Sequence, residues 1–190
     1  MWMLMVVLLV IMGLLYNHLV QARNGVRNAF AQIDVQLQRR YELIPNLVAS
    51  CKAYMSHEKE TLVQLAQARQ QGIDATASLR ASPEDTQART QLLQSERHLQ
   101  TALGRMAMVV ENYPELKADA SIASLLEELT STENRVSFAR QAFNDAIMDY
   151  NNKRETLPAA LVASALGFAP IEPLPAPEAE VRQPVRVDFS

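Results

Sequence analysis

The sequence predicts an all-α protein: an N-terminal transmembrane helix continuing into an antiparallel bundle of long helices, three long plus one short, with a proline-rich C-terminal tail. Three observations carry this reading. No charged side chain occurs from Met1 to Val20. Beyond that run, apolar residues recur at alternating spacings of three and four, the period of a helix and not of a strand. Only 5 of the 190 residues are glycine and 6% are aromatic, a composition short of the turns and ring-bearing strands of a sandwich or barrel. The chain divides into an anchor at 1–20, a bundle at 21–168 and an extended tail at 169–190.

The anchor is uninterruptedly apolar from Met1 to Tyr16. As a helix this covers about 24 Å against a hydrocarbon core of roughly 30 Å. Partial immersion of Asn17 to Val20 and snorkelling of Arg23 close the gap. Trp2 and Tyr16 stand where interfacial aromatics are expected. No Lys or Arg precedes the run and no small-residue cleavage site follows it, so it reads as a retained span and not as a signal peptide. Arg23, Arg27, Arg39 and Arg40 lie close behind it, which by the positive-inside rule places the body in the cytoplasm.

In the body, a first seam runs through Val26, Phe30, Ile33, Leu37, Ile44, Leu47, Cys51 and Tyr54, interrupted by Arg40. It extends from the anchor without a breaker and predicts one helix to about Arg69, through Leu62 and Leu65. Pro45 predicts a kink or break near Ile44, because proline removes a hydrogen bond and clashes with the preceding turn. Gly72 and Ile73 open a weakly patterned stretch. Ser82 to Asp85, read as an N-cap serine followed by proline and two acids, predicts the start of a second helix. That helix carries Leu92, Leu99, Leu103, Met106, Val110 and Tyr113 and ends before Pro114. The third presents Ile122, Leu126, Leu129, Glu133, Val136, Arg140, Phe143, Ile147, Tyr150, Arg154 and Leu157 with coiled-coil regularity. A short fourth helix is expected from Ala159 to Gly167. From Ala169, prolines at 170, 173, 175, 177 and 184 predict a chain that is extended and mobile in isolation, with last residues able to clip onto a groove or sheet edge.

A net charge of -3 and a pI near 5.7 supply no global basic field for nucleic acid. The single cysteine, Cys51, sits in the first seam and reads as a small core residue. The string HEKET, His57 to Thr61, resembles a zinc-protease helix but lacks its second histidine, and His18 and His98 belong to other segments. His57 and Glu58 therefore read as a solvated face with Lys59 and Glu60. There is no glycine-rich phosphate loop and no serine elbow. The acid pairs Glu84/Asp85 and Glu127/Glu128 diverge by about 100° on a helix. No cofactor, metal, small-molecule substrate or catalytic residue is expected. The charges inside the seams, Arg40, Glu133, Arg140 and Arg154, have two readings. They either snorkel from the bundle edge or form a buried polar layer in which Glu133 pairs with an arginine of another helix.

The string YNHLVQARNGVRNAFAQIDVQLQRRYELIPNLVASCKAYMSHEKETL, from Tyr16 to Leu62, resembles the N-terminal core of the LemA family. ENYPELKAD (Glu111 to Asp119), ELTSTENRVSFARQAFNDAIMDYN (Glu128 to Asn151) and LGFAP (Leu166 to Pro170) agree as well. The matching motif positions are Tyr16, Asn17, Arg23, Asn24, Arg39, Arg40, Ile44, Pro45, Asn46, Leu47, His57, Glu58, Glu60, Glu133, Asn134, Arg135, Arg140 and Asn144. The resemblance implies a membrane helix followed by a helical bundle, and assigns none of these residues a catalytic role. They stand as structural or partner-contact positions. Two departures are Phe30, where the family usually places tryptophan, and the lack of the N-terminal lipoprotein cysteine of some relatives, whose bundles would lie outside the cytoplasm.

The expected function is that of a non-enzymatic, single-pass protein of the bacterial inner membrane, an interaction or scaffold protein presenting helical surfaces and its tail to partners. Those partners are the lipid bilayer and other membrane proteins or further copies of itself. The alternatives are an accessory subunit or regulator of a membrane protease or signalling enzyme and, more remotely, an envelope hydrolase.

Overall fold

The computed structural model describes residues 1–52, 54, 55 and 58–175. Among them are six helices and no strand: α1 (Trp2–Lys52), α2 (Lys59–Ala81), α3 (Thr86–Asn112), α4 (Pro114–Ala118), α5 (Ala120–Glu155) and α6 (Ala159–Ala165). The all-α expectation holds, and α1 is long and apolar enough to cross a membrane.

One face of α1 is buried at Leu19, Val26, Phe30, Ile33, Leu37, Ile44, Leu47 and Cys51, as the seam predicts. Residues 1–14 are all exposed, and the turns before Leu9 stand clear of the bundle over about 12 Å. Anchor and bundle are thus one continuous helix, a rigid stem.

Three boundaries differ from the sequence reading. First, α1 passes through Pro45 without breaking and ends at Lys52, well before Arg69. The chain then reverses, with the amides of Tyr54 and Met55 donating to the Cys51 carbonyl at 3.0 and 3.1 Å. Reversal lets α2 bury Leu62, Leu65, Ala68 and Leu79 against the bundle, whereas a continued helix would carry that face into solvent. Second, the weakly patterned stretch at Gly72 and Ile73 is the middle of α2. Tyr41 of α1 crosses so closely there that a Cβ on residue 72 would lie 2.8 Å from its ring. Third, Ser82 closes α2, and Asp85 caps α3 by accepting from the Gln87 amide at 2.7 Å. A carboxylate at that end also complements the helix dipole. Asp119 repeats the device on α5, accepting from the amides of Ser121 and Ile122. The Ser121 bonds hold its carboxyl below the usual range.

Two seam residues are misplaced by the periodicity: Tyr54 falls in the turn and Leu157 beyond α5, and both are exposed. The other apolar seam positions are buried or pack against the core.

The long helices pack as antiparallel neighbours, α5 along α1, α1 along α2, and α2 along α3. Phe30 and Phe143 meet edge-on with ring centres 5.9 Å apart, and Arg80 of α2 grips Asp34 of α1 with bonds of 2.6 and 2.8 Å. α3 and α5 face each other across a wider gap, in which the site lies.

Candidate functional site

Two polar constructions fill the gap between α3 and α5. One is a charged layer. Arg40 of α1 is 3% exposed. Its guanidinium reaches Glu96 of α3 at 3.1 Å and Glu133 of α5 at 3.8 Å. The Tyr41 hydroxyl donates to the other Glu96 oxygen at 2.9 Å and contacts Thr76 Oγ1 at 3.2 Å, while Thr76 donates to the Gly72 carbonyl at 2.8 Å. One layer therefore ties α1, α2, α3 and α5 together. Burial raises the Glu96 carboxyl, with the Arg40 charge and the Tyr41 hydrogen bond opposing it. Burial, and then the Glu96 charge, raises the Tyr41 phenol.

The expected polar layer exists, but its composition differs from the sequence reading. The buried carboxylate is Glu96. Glu133 is half exposed, and its other oxygen accepts from Gln100 at 2.8 Å. Arg140 and Arg154 stand at the bundle edge and bind neither acid; each donates to a carbonyl of the tail.

That tail forms the second construction. Residues 168–175 run antiparallel along α5. Arg154 donates to the Phe168 carbonyl, Tyr150 to that of Ala169, and Arg140 to that of Pro175, all at 2.7–2.8 Å. Asn151 and Asn144 each clamp one tail residue from both sides. Asn151 donates to the Ile171 carbonyl at 2.7 Å and accepts from its amide at 3.1 Å. Asn144 does the same to Leu174 at 2.8 and 2.9 Å.

The register follows from geometry. Seven helical residues advance about 10.5 Å, and three residues of polyproline-like chain about 9.3 Å with side chains returning to one face. Asn144 and Asn151 therefore match Leu174 and Ile171, whose side chains are both 3% exposed. The prolines at 170, 173 and 175 leave the clamped residues with free amides. Within the described residues, the tail expected to be mobile in isolation is thus a seated strap as far as Pro175; its last residues, where a clip onto a groove or sheet edge is expected, lie outside the described residues.

Among the described residues, the gap beside Pro175 holds a cleft of about 420 Å³ lined by Arg40, Glu96, Arg97, Glu133, Asn134 and Arg140. The Nε atoms of Arg40 and Arg140 have no hydrogen-bond partner among the described residues, and burial lowers the Arg140 guanidinium.

The remaining motif positions are scattered. Arg39 pairs with Glu128 across the α1–α5 surface. Pro45, Asn46, Asn134 and Arg135 are exposed and Glu58 is half-buried ahead of α2, while His57 lies outside the described residues. His98 stands 3.4 Å from Gln71 on the opposite side of the bundle. Cys51 is fully buried, and burial pushes its thiol up to about 11.

Sequence reasoning missed Glu96, Tyr41, Asn151 and Arg69. The first and third were detectable, since Glu96 lies four residues after Leu92 and three before Leu99, and Asn151 lies seven after Asn144. The arrangement grips extended backbone and fixes helix register.

The family model described as the LemA family matches residues 29–189. The magnetosome protein MamQ of Magnetospirillum gryphiswaldense is 23% identical over 172 residues, covering 83% of this chain and 63% of that protein, so the chain spans somewhat under two thirds of this relative's length.

Proposed function

The chain belongs to the LemA family, and on that premise we propose that it is a non-enzymatic, membrane-tethered interaction protein. Its bundle and tail are presented to partner proteins, or to further copies of the chain, at the bacterial inner membrane. The observation that carries the reading is the strapped groove, in which α5 holds an extended segment by paired asparagine bonds to its backbone. Backbone recognition of this kind accepts varied sequences and leaves specificity to the side chains and to the cleft beside Pro175. The rigid stem confines that surface to the membrane plane, which raises its effective concentration for partners there. The arginines that follow the apolar run favour a cytoplasmic body.

Cross-linking in native membranes tests the proposal by comparing the full chain with one ending at Pro175. The full chain is expected to give discrete, stoichiometric adducts that the shortened one loses. Adducts identical in both would remove the tail from the interaction, and diffuse labelling of both would overturn the interaction role. A reporter fused at residue 190 reads the side of the membrane.

A further inference from the structure

Four features of the α6 hairpin belong together. From Thr156 to Ile171 no residue is charged. Leu157, Leu161 and Leu166 project from this stretch with 72%, 67% and 56% of their surface exposed. One face of the hairpin joins the core through Val162, Ala163 and Phe168. It lies beside the stem, where Leu161, Val162, Ala165 and Leu166 face Leu9, Met12 and Tyr16 across an apolar groove of about 370 Å³. Its backbone is also closed on itself. Gly167, at φ 73°, allows the Phe168 amide to donate to the Ala163 carbonyl at 3.0 Å while the Leu166 amide donates to Val162. This helix-ending turn leaves few carbonyls needing water.

The first charge along the stem, Arg23, sits over the Phe168 ring at 5.2 Å, about 10 Å farther along α1 than Tyr16. The hairpin is therefore on the membrane side of Arg23 and Arg154, which both meet it at Phe168. It is also continuous with the apolar surface of the span.

We propose that the α6 hairpin is a second membrane-contacting element, with Leu161 and Leu166 immersed among lipid acyl chains and a chain filling the groove against α1. The bundle is then seated directly on the bilayer. An immersion of roughly 5–10 Å is the depth of an interfacial helix, and the hairpin widens the hold of a span that is short for its bilayer. The inference rests on α1 being the anchor, and the test separates the two.

Single cysteines replace Val6, Leu161, Leu166 or Phe138 in a Cys51→Ala background. Each carries an environment-sensitive fluorophore, in full-length protein reconstituted into phosphatidylcholine/phosphatidylglycerol vesicles with or without acyl-chain nitroxide lipids. Quenching at 161 and 166 is expected to come within about twofold of that at 6, with 138 near background, as interfacial depth requires. Quenching at 6 alone would overturn the hairpin's immersion and leave the anchor standing. No quenching at 6 would overturn both. Labels at 161 shielded from water but unquenched, with disulfide-linked dimers of the unlabelled Leu161→Cys variant, would assign the face to a second copy and overturn the proposal.

Discussion

The Arg69 guanidinium donates from Nε to the backbone carbonyl of Tyr41 at 2.7 Å. Tyr41 is four residues before Pro45, so its carbonyl is the one deprived of a helical amide by the proline ring. A side chain from α2 supplies the missing donor, and α1 runs on unbroken through a residue that ordinarily stops a helix.

Removing that donor is expected to destabilise the bundle by about 1–2 kcal/mol, the cost of a partly buried carbonyl left unpaired. In a Pro45→Ala background the residue-45 amide can serve the carbonyl, so the cost of Arg69→Ala should shrink. A double-mutant cycle from denaturant melts measures the difference, and equal costs in the two backgrounds would separate Arg69 from the proline.

Within the charged layer, Arg40→Ala strands a buried carboxylate and should cost about 3 kcal/mol or more. Glu133→Ala removes a half-exposed acid at 3.8 Å, for which about 1 kcal/mol or less is expected. Thermal melts of the two variants rank them. The sequence reading offers Glu133 as the acid of a buried layer; the structure buries Glu96 there against Arg40.

Glu96 also sets a pH dependence. Its folded carboxyl is raised above the ordinary 4.5 by burial, so in the interval between 4.5 and the raised value the native state binds more proton than the unfolded chain does. Stability is then lost as pH rises above about 4.5 through the raised value. Glu96→Gln, which carries no titrating proton, should flatten the pH profile of denaturant midpoints; a profile parallel to that of the natural chain would contradict the shift.

Gly72→Ala raises helix propensity by about 1 kcal/mol but drives a methyl into the Tyr41 ring. The ring cannot swing away while its hydroxyl is held by Glu96 and Thr76. A net loss of about 1–2 kcal/mol is expected from overpacking, turning into a gain in a Tyr41→Leu background. Denaturant melts of the four variants decide it.

For the strap, Asn151→Ala leaves the Ile171 amide and carbonyl without partners. Hydrogen exchange at the Ile171 and Leu174 amides is expected to accelerate by about tenfold or more, corresponding to roughly 1.4 kcal/mol or more of local stability, with α2 unchanged. Uniform acceleration throughout would mean that Asn151 supports the whole fold instead.

The sequence by itself determined the helical class, the uncharged anchor, most of the core face and the presence of charges inside seams, because each of these is written in the period or composition of one segment. Phe143, Ile147 and Tyr150 are buried where the four-three spacing places them. Only the tertiary structure decided where the first helix ends, which acid meets Arg40 and where the tail goes. Pro45 reads as a break until the Arg69 donor is placed beside Tyr41, and Gly72 reads as a weak point until Tyr41 crosses it. The asparagines of α5 are ordinary polar residues until Ile171 and Leu174 lie along them. Each of these outcomes depends on a partner between 20 and 60 positions away in the chain, and local periodicity carries no record of which distant group will satisfy a carbonyl or neutralise a buried charge.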